Sequence, residues 1–431
     1  MSTPDLMARR ERVLANHGMF FYDEPLHLVK GEGVFLWDSA GSRYLDCYNN
    51  VASVGHCHPR VVEALAQQAS TLNTHTRYLH ENAVELCERL GKKLPGQLEV
   101  CMLVCTGTEA NDLAVQIARA VTGKRGVIVN DGAYHGNSAL VTQLSPDVCP
   151  AEMREDWVAV IEPPDSYRGS FRAGEHDELG GRYAALAGNA VEELDVRGHG
   201  TAALLVDTVW DASGVMTAPA DYLAKTARRV RDAGGLFIAD EVQAGYCRTG
   251  THWWGFEHYG VQPDIVTMGK PMGDGHPLAA LVMSREVSER FSSTPYANYF
   301  NTFGGNPVAA AVGNAVIDVI DEEGLLDNVT QVGAYLEMGL RELMERHRVV
   351  GDVRGKGLFW GLELVRDPGS REPVGRSEMK QITSELAHGG ILVGDTGQLG
   401  NVLKIRPPLV FSRANADQAL ATVSRVLAAH D

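Results

Sequence analysis

A chain of 431 residues with 44% apolar and 22% charged side chains suits a globular enzyme in two parts, or two or three domains. A net charge of −16 argues against nucleic acid and anionic membrane surfaces as partners, and it means that any anionic ligand needs a local basic pocket. Seven scattered cysteines, odd in number and without a C-x-x-C, fit reduced thiols in a cytoplasmic setting rather than a disulfide framework.

The opening MSTPDLMARRERVLANHG carries charges and no apolar h-region, so no secretory signal is expected. GVFLWDSAGSRYLDCYN reads as two strand-like runs around a turn at SAGS. Residues 1–55 are expected to pack with the chain's tail. GHCHP offers His56, Cys57 and His58, but adjacent residues cannot all face one ion and no further ligand cluster stands nearby, so no metal site is expected.

Residues 56–324 read as the large domain. VCMLVC is a strand, with Cys101 and Cys105 in its core, and EANDLAVQIARAV a helix. GVIVN, AALLVDTV, GLFIAD, DIVTM and AALVMS are further apolar strands, with ADYLAKTARRVRDA a helix among them. Continuous apolar strands separated by helices predict an α/β fold with a mostly parallel sheet covered on both faces. THWWGFEHYG reads as packing or interface, and FGGNPVAAAVGNAVIDVI is too interrupted by polar residues to span a membrane. Residues 325–431 change character. A helical stretch, NVTQVGAYLEMGLRELMERH, precedes the alternating VRGKGLFWGLELV and NVLKIRPPLVF, which predicts a smaller α+β domain.

Chemistry gathers where the predicted strands end. After VCMLVC comes Thr106-Gly107-Thr108, and Thr106 with Glu109 fits a capping box, which places a helix N-terminus there. The outward N–H groups and the helix dipole favour an anion such as phosphate. After GVIVN come Tyr134 and His135, where an aromatic ring can lie on a planar ligand. GLFIAD ends in Asp240 and Glu241, and DIVTMG runs into Lys270, an unusual place for a lysine. In open parallel sheets, ligands sit beyond the carboxyl ends of the strands. A phosphate cup, an aromatic face, a carboxylate and a lysine together suit pyridoxal 5′-phosphate. Its aldehyde needs the lysine, and its ring nitrogen needs the acid to stay protonated.

The motifs TGTEAND, AYHG, ADEVQAGYCRTG, PDIVTMGKPMG and NTFGGNP resemble the class III aminotransferases, pyridoxal-phosphate enzymes of fold type I, and the likeness runs through nearly the whole chain. The resemblance implies that Lys270 is the lysine to which the cofactor aldehyde is attached. It implies that Asp240 partners the ring nitrogen, Gln243 lies near the ring hydroxyl, and Tyr134 stacks on the ring. Gly107 and Thr108 then cup the phosphate, and Thr302 reaches the cofactor phosphate of the other subunit of a homodimer with shared active sites. His135 belongs to the same cofactor-binding set.

Within the family, YLDCYNNVASVGHCHP, LNTHTRYLHENAVEL, PDSYRG and DIVTMGKPMGDGHP resemble ammonia-forming phospholyases, which act on O-phosphoethanolamine or 5-phosphohydroxylysine. That implies a small phosphorylated amine as substrate. The alternative is an ω-transaminase moving an amino group to a keto acid. One departure bears on the choice. The family usually has Glu-Pro at the strand end where this chain has Asp207-Thr208, and that glutamate commonly pairs with the arginine matched by Arg406. Arg406 and Arg77 are the candidates to bind the substrate phosphate, with Lys30 a more distant one.

Overall fold

In the computed structural model, residues 3–15 and 20–431 are described; of the opening stretch, residues 1–2 and 16–19 lie outside them. At the centre is a seven-stranded sheet. Its order is Leu98–Val104, Ala279–Ser284, Ile265–Met268, Leu236–Asp240, Thr201–Asp207, Gly126–Asn130 and Val158–Ile161. Ala279–Ser284 runs antiparallel to both neighbours, and the remaining pairings are parallel.

Period-2 alternation divides the sheet's apolar residues between two cores. Leu204, Val206, Phe237, Ala239, Val266 and Met268 pack on one face. Ala203, Leu205, Leu236, Ile238 and Ile265 pack on the other, with the helix Gly107–Thr122. The strands are buried on both faces, which is why they read as unbroken apolar runs.

Four elements go beyond or differ from the sequence expectation. Leu98–Val104 is an edge strand, so Cys101 and Cys105 are half-buried rather than core residues. Val158–Ile161 and the helix Leu179–Val196 were not predicted; the helix starts in a glycine-rich run without a side-chain cap. The interrupted apolar run at 303–320 forms the helix Pro307–Glu322, with Asn306 as N-cap and proline in its first turn, where a missing N–H costs nothing.

A second, antiparallel sheet joins Val350–Lys356, Phe359–Asp367, Val402–Ile405 and Gly394–Thr396. A third is made by both chain ends. Leu28–Glu32, Phe35–Asp38 and Arg43–Asp46 form a meander, and Ile391–Leu392 adds parallel to Arg43–Asp46. The turn at SAGS is tied by Asp38, whose Oδ1 accepts from the amides of Ala40 and Ser42. The residues of GHCHP are spoken for separately. His56 Nε2 lies 2.7 Å from Asp46, His58 Nε2 lies 3.1 Å from Glu323, and Cys57 is exposed.

Candidate active site

Alternation along GLFIADE sorts its two acids. Asp240 follows Leu236 and Ile238 and faces the helix Gly107–Thr122, whereas Glu241 points to the opposite side. There Glu241 accepts from Thr208 Oγ1 at 2.7 Å and from the amides of Gly255 and Phe256 at 2.7 and 2.9 Å. Burial outweighs these bonds and pushes its carboxyl up to about 8. Glu241 is a strut between the strand and the loop that follows it.

Asp240 is 4% exposed and held from two sides. Asn111 Nδ2 donates to Oδ2 at 2.8 Å, and His135 Nδ1 lies 2.7 Å from the same oxygen. A carboxylate can only accept, so the histidine proton belongs on Nδ1. Asn111 also donates to the His135 carbonyl at 2.8 Å and accepts from Thr267 Oγ1 at 2.6 Å. This buried asparagine thus links three strand ends to the helix. Sequence reading missed it, because a polar residue within a helix looks like part of a solvated face.

The helix begins as its capping box predicts. Thr106 Oγ1 accepts from the Glu109 amide at 3.1 Å, and Glu109 Oε2 accepts from the amides of Cys105 and Thr106 at 2.7 and 3.1 Å. The amides of Gly107 and Thr108 stand at the helix end, where no intrahelical carbonyl can reach them. A Cβ on Gly107 would meet the Val242 side chain at 2.8 Å, so this approach requires glycine. Gly136 has φ +140°, and a Cβ there would come within 2.6 Å of Thr108 Oγ1. It lets the loop carrying Tyr134 close over the helix end.

Gly107, Thr108, Tyr134, His135, Asp240, Gln243 and Lys270 line one cavity of about 250 Å³, together with Asn111 and Asp207. Lys270 follows Ile265–Met268 directly and is half-buried. Burial, and next the charge of Arg406, hold its amine below the ordinary lysine value, against the opposing pull of Asp211 and Asp240. An amine biased toward its neutral form, a fixed carboxylate and a helix end with free amides are the donor set pyridoxal phosphate needs, and the residues fit that group. Asp207 stands beside Asp240 in the parallel register. Burial, then the charges of Asp240 and Asp211, push its carboxyl up to about 7.

Asp207, the departure at this strand end, is not paired with Arg406. Asp207 spends its oxygens on the amides of Val209 and Asp211, closing a tight turn. Asp211, four residues on, faces Arg406 Nη1 at 3.7 Å and Lys404 Nζ at 3.1 Å. Gln243 bridges them, donating Nε2 to Asp211 and accepting on Oε1 from Arg406 Nη1. Both ends of its amide are engaged within the chain, and each keeps one further hydrogen-bonding position. Arg406 also donates Nε to the Tyr48 carbonyl at 3.1 Å. Lys404 and Asp211 are the residues sequence reading missed here. The signal available was the period-2 spacing that puts Lys404 and Arg406 on one face of a strand.

The other substrate candidates lie elsewhere. Arg77 is exposed, with its guanidinium 3.9 Å above the Phe300 ring, and it does not line the cavity of its own chain. Lys30 is paired with Glu32 at 2.7 Å on an exposed strand. Thr302 is exposed, two residues from Phe300, and is likewise outside that cavity.

Comparison with known proteins agrees with this geometry. The family model described as "Aminotransferase class-III" matches residues 21–427. An alanine–glyoxylate aminotransferase 2-like protein of Drosophila melanogaster is 40% identical over 423 residues, covering 97% of this chain and 85% of the relative. Ethanolamine-phosphate phospho-lyase homolog 1 of Caenorhabditis elegans is 36% identical over 440 residues, covering 99% and 94%. Among solved structures, a phospholyase from Arthrobacter in complex with phosphoethanolamine superposes with a TM-score of 0.94 at 41% identity, covering 98% of this chain and 99% of that one.

Proposed function

The chain belongs to the class III aminotransferase family of pyridoxal-phosphate enzymes, and on that premise we propose that it is an ammonia-forming phospho-lyase acting on O-phosphoethanolamine. Phosphoethanolamine and water would give acetaldehyde, ammonia and phosphate, with no keto acid consumed. The observation that carries the reading is the buried cation Arg406, bonded to Gln243, which lines the same cavity as Lys270. An arginine there can take a substrate phosphate in two-pronged fashion. The phosphoethanolamine complex of the Arthrobacter phospholyase supports the same substrate class.

Pyridoxal phosphate, when bound, supplies an aldehyde for the substrate amine and a ring that draws electrons from the neighbouring carbon. Gly107 and Thr108 would hold its phosphate, Tyr134 its ring face and Asp240 its ring nitrogen. Lys270 Nζ takes the proton from the substrate carbon next to nitrogen, which its lowered pKa favours. Asp240 keeps its orientation through His135 and Asn111. Arg406 stabilises the charge that leaves with the phosphate.

The same reading makes the working unit a homodimer. Leu79 is 99% exposed, Phe303 70% and Tyr78 66%, and an apolar group of this kind marks an interaction surface. Pairing through it would bring Thr302 and Arg77 toward a neighbouring site. Activity that persists in a monomer, established by light scattering at low concentration, would exclude the shared site.

The function is tested by incubating the enzyme with phosphoethanolamine and no keto acid. Equal amounts of phosphate and acetaldehyde are expected. The names of several relatives, such as the Drosophila aminotransferase, favour transamination as the second reading. Inert phosphoethanolamine, with simple amines converted only when a keto acid is added, would establish it in place of the first.

A further inference from the structure

Two buried cations at the rear of the site share one carboxylate. Lys404 and Arg406 are 6% and 4% exposed, and both lie against the Tyr48 ring, 5.6 and 5.0 Å from its centroid. Among the described residues, Asp211 is the one carboxylate within ion-pair distance of either. Burial pushes the Asp211 carboxyl up, but Lys404 and Arg406 together hold it below its ordinary value. Its Oδ1 stands 3.1 Å from Lys404 Nζ yet accepts no well-directed hydrogen bond. Within ion-pair distance two cations face one carboxylate, with the Asp147 carboxyl a more distant counter-charge to Lys404, in a place where an uncompensated charge is strongly unfavourable.

The chemistry of that surplus is specific. A phosphate monoester carries nearly two negative charges near neutral pH, whereas a carboxylate carries one. With Asp211 in place the two cations have one charge to spare, which a carboxylate substrate would neutralise; a phosphate, with nearly two, is matched only when it takes both cations in place of the resident carboxylate. Gln243, on the cavity wall, ties Asp211 to Arg406, so the cations are reached from the cavity past one amide side chain.

We propose that Lys404 is the residue that selects a phosphate over a carboxylate on the substrate, with Asp211 as the built-in counter-ion that the phosphate displaces. This rests on the phospho-lyase reading of the site. Lys404 Nζ leaves Asp211 for a phosphate oxygen, Gln243 Nε2 is released, and Arg406 keeps its bond to the Tyr48 carbonyl.

The test uses the cofactor-loaded enzyme and two probes of the same length. 2-Aminoethylphosphonate has a carbon–phosphorus bond and so no phosphate to expel, and β-alanine ends in a carboxylate. Affinities are read by calorimetry and by the cofactor's absorbance. Lys404→Gln is expected to cut the preference for the phosphonate over β-alanine by about ten- to a hundredfold, the range for a charge-assisted bond left unmade. Lys404→Arg should restore part of it. Asp211→Asn should tighten phosphonate binding, because the competing anion is gone. A Lys404→Gln enzyme with unchanged preference overturns the proposal, as does an Asp211→Asn enzyme that loses phosphonate binding as Lys404→Gln does. If Lys404→Gln alone does not fold, the double variant with Asp211→Asn, neutral at both positions, carries the same comparison. Phosphoethanolamine cleavage by the unaltered enzyme, measured in parallel, separates the two failures. Cleavage retained with no role for Lys404 sinks only this inference; no cleavage and no phosphonate preference sinks the function as well.

Discussion

Asp240 and Lys270 stand at the ends of neighbouring strands of one sheet, whereas Lys404 and Arg406 reach the site from a sheet built by the C-terminal part of the chain. The first pair is positioned by backbone register. Asp207 is level with Asp240, and Asp240 with Thr267, so the carboxylates and the lysine keep their spacing as long as the sheet exists. The second pair is positioned by side-chain packing between two sheets, through Asp211, Gln243 and Tyr48. Register is shared by a whole fold, and packing is local. The cofactor half can therefore stay constant while the anion half changes the substrate.

The largest effects are expected in the register-built half. On the proposed function Lys270→Ala removes the amine that would take the substrate proton, and general acid–base catalysis alone is worth about 10²–10⁴-fold. Turnover should fall at least that far, and borohydride treatment, expected to fix the cofactor to Lys270 in the native enzyme, should no longer label that position. Label recovered on another lysine of the native enzyme would break the assignment of this half. Asp240→Asn should retain bound cofactor but lose about two or more powers of ten in turnover, because the ring nitrogen loses its anionic partner. Native rates in this variant would reduce Asp240 to a strand cap.

In the packing-built half the expected loss is smaller. Arg406→Ala leaves a charge-assisted bond unmade, about 1.5–3 kcal/mol, which is ten- to a hundredfold in kcat/KM for phosphoethanolamine. Cofactor affinity should change much less, and equal losses in both would show that the two halves are one unit. Asn111→Ala tests the register-built half from within. It strips bonds from Asp240, the His135 carbonyl and Thr267, at about 1–3 kcal/mol for each buried group left without a partner. A lowered Tm with turnover reduced about tenfold is expected, and an unchanged Tm would mean that the asparagine holds nothing in place.

The same division decided what could be read from the sequence. Asp240 ends its strand, and Lys270, Gly107 and Tyr134 come within four residues of the end of theirs, so predicting the strand predicts the place of the residue. The capping box at Thr106 is equally local. Lys404, Asp211 and Asn111 gain their meaning only from partners far along the chain: Lys404 and Asp211 lie 193 residues apart, and Asn111 and Asp240 lie 129. No local pattern encodes such a meeting. What Asp207 does in place of pairing with Arg406 was hidden for the same reason. Its position on the strand was legible, but the turn that hands Arg406 to Asp211 depends on backbone bonds to Val209 and Asp211.

The smallest expected effect concerns Asp207 and the pH dependence of stability. Its carboxyl is raised from 3.8 to about 7, with burial the first cause and the charges of Asp240 and Asp211 next. In the unfolded chain the group gives up its proton near pH 4. The folded chain keeps it until about pH 7, so the folded state binds more protons across that window. Stability must then fall as pH rises from about 4 to about 7 and level off above it. The last pH unit of the window, from 6 to 7, over which the folded group falls from about nine-tenths to one-half protonated, is worth about 1 kcal/mol. Glu241 and Asp274, raised to about 8 and about 7, act in the same direction, so the cofactor-free chain should melt lower at pH 8 than at pH 6. Asp207→Asn carries a neutral group of the same shape at every pH, and its Tm should decline less over the same interval. Parallel melting curves for the two proteins would show that Asp207 ionises normally beside Asp240. The close carboxylate pair that register imposes on the cofactor half would then carry no cost.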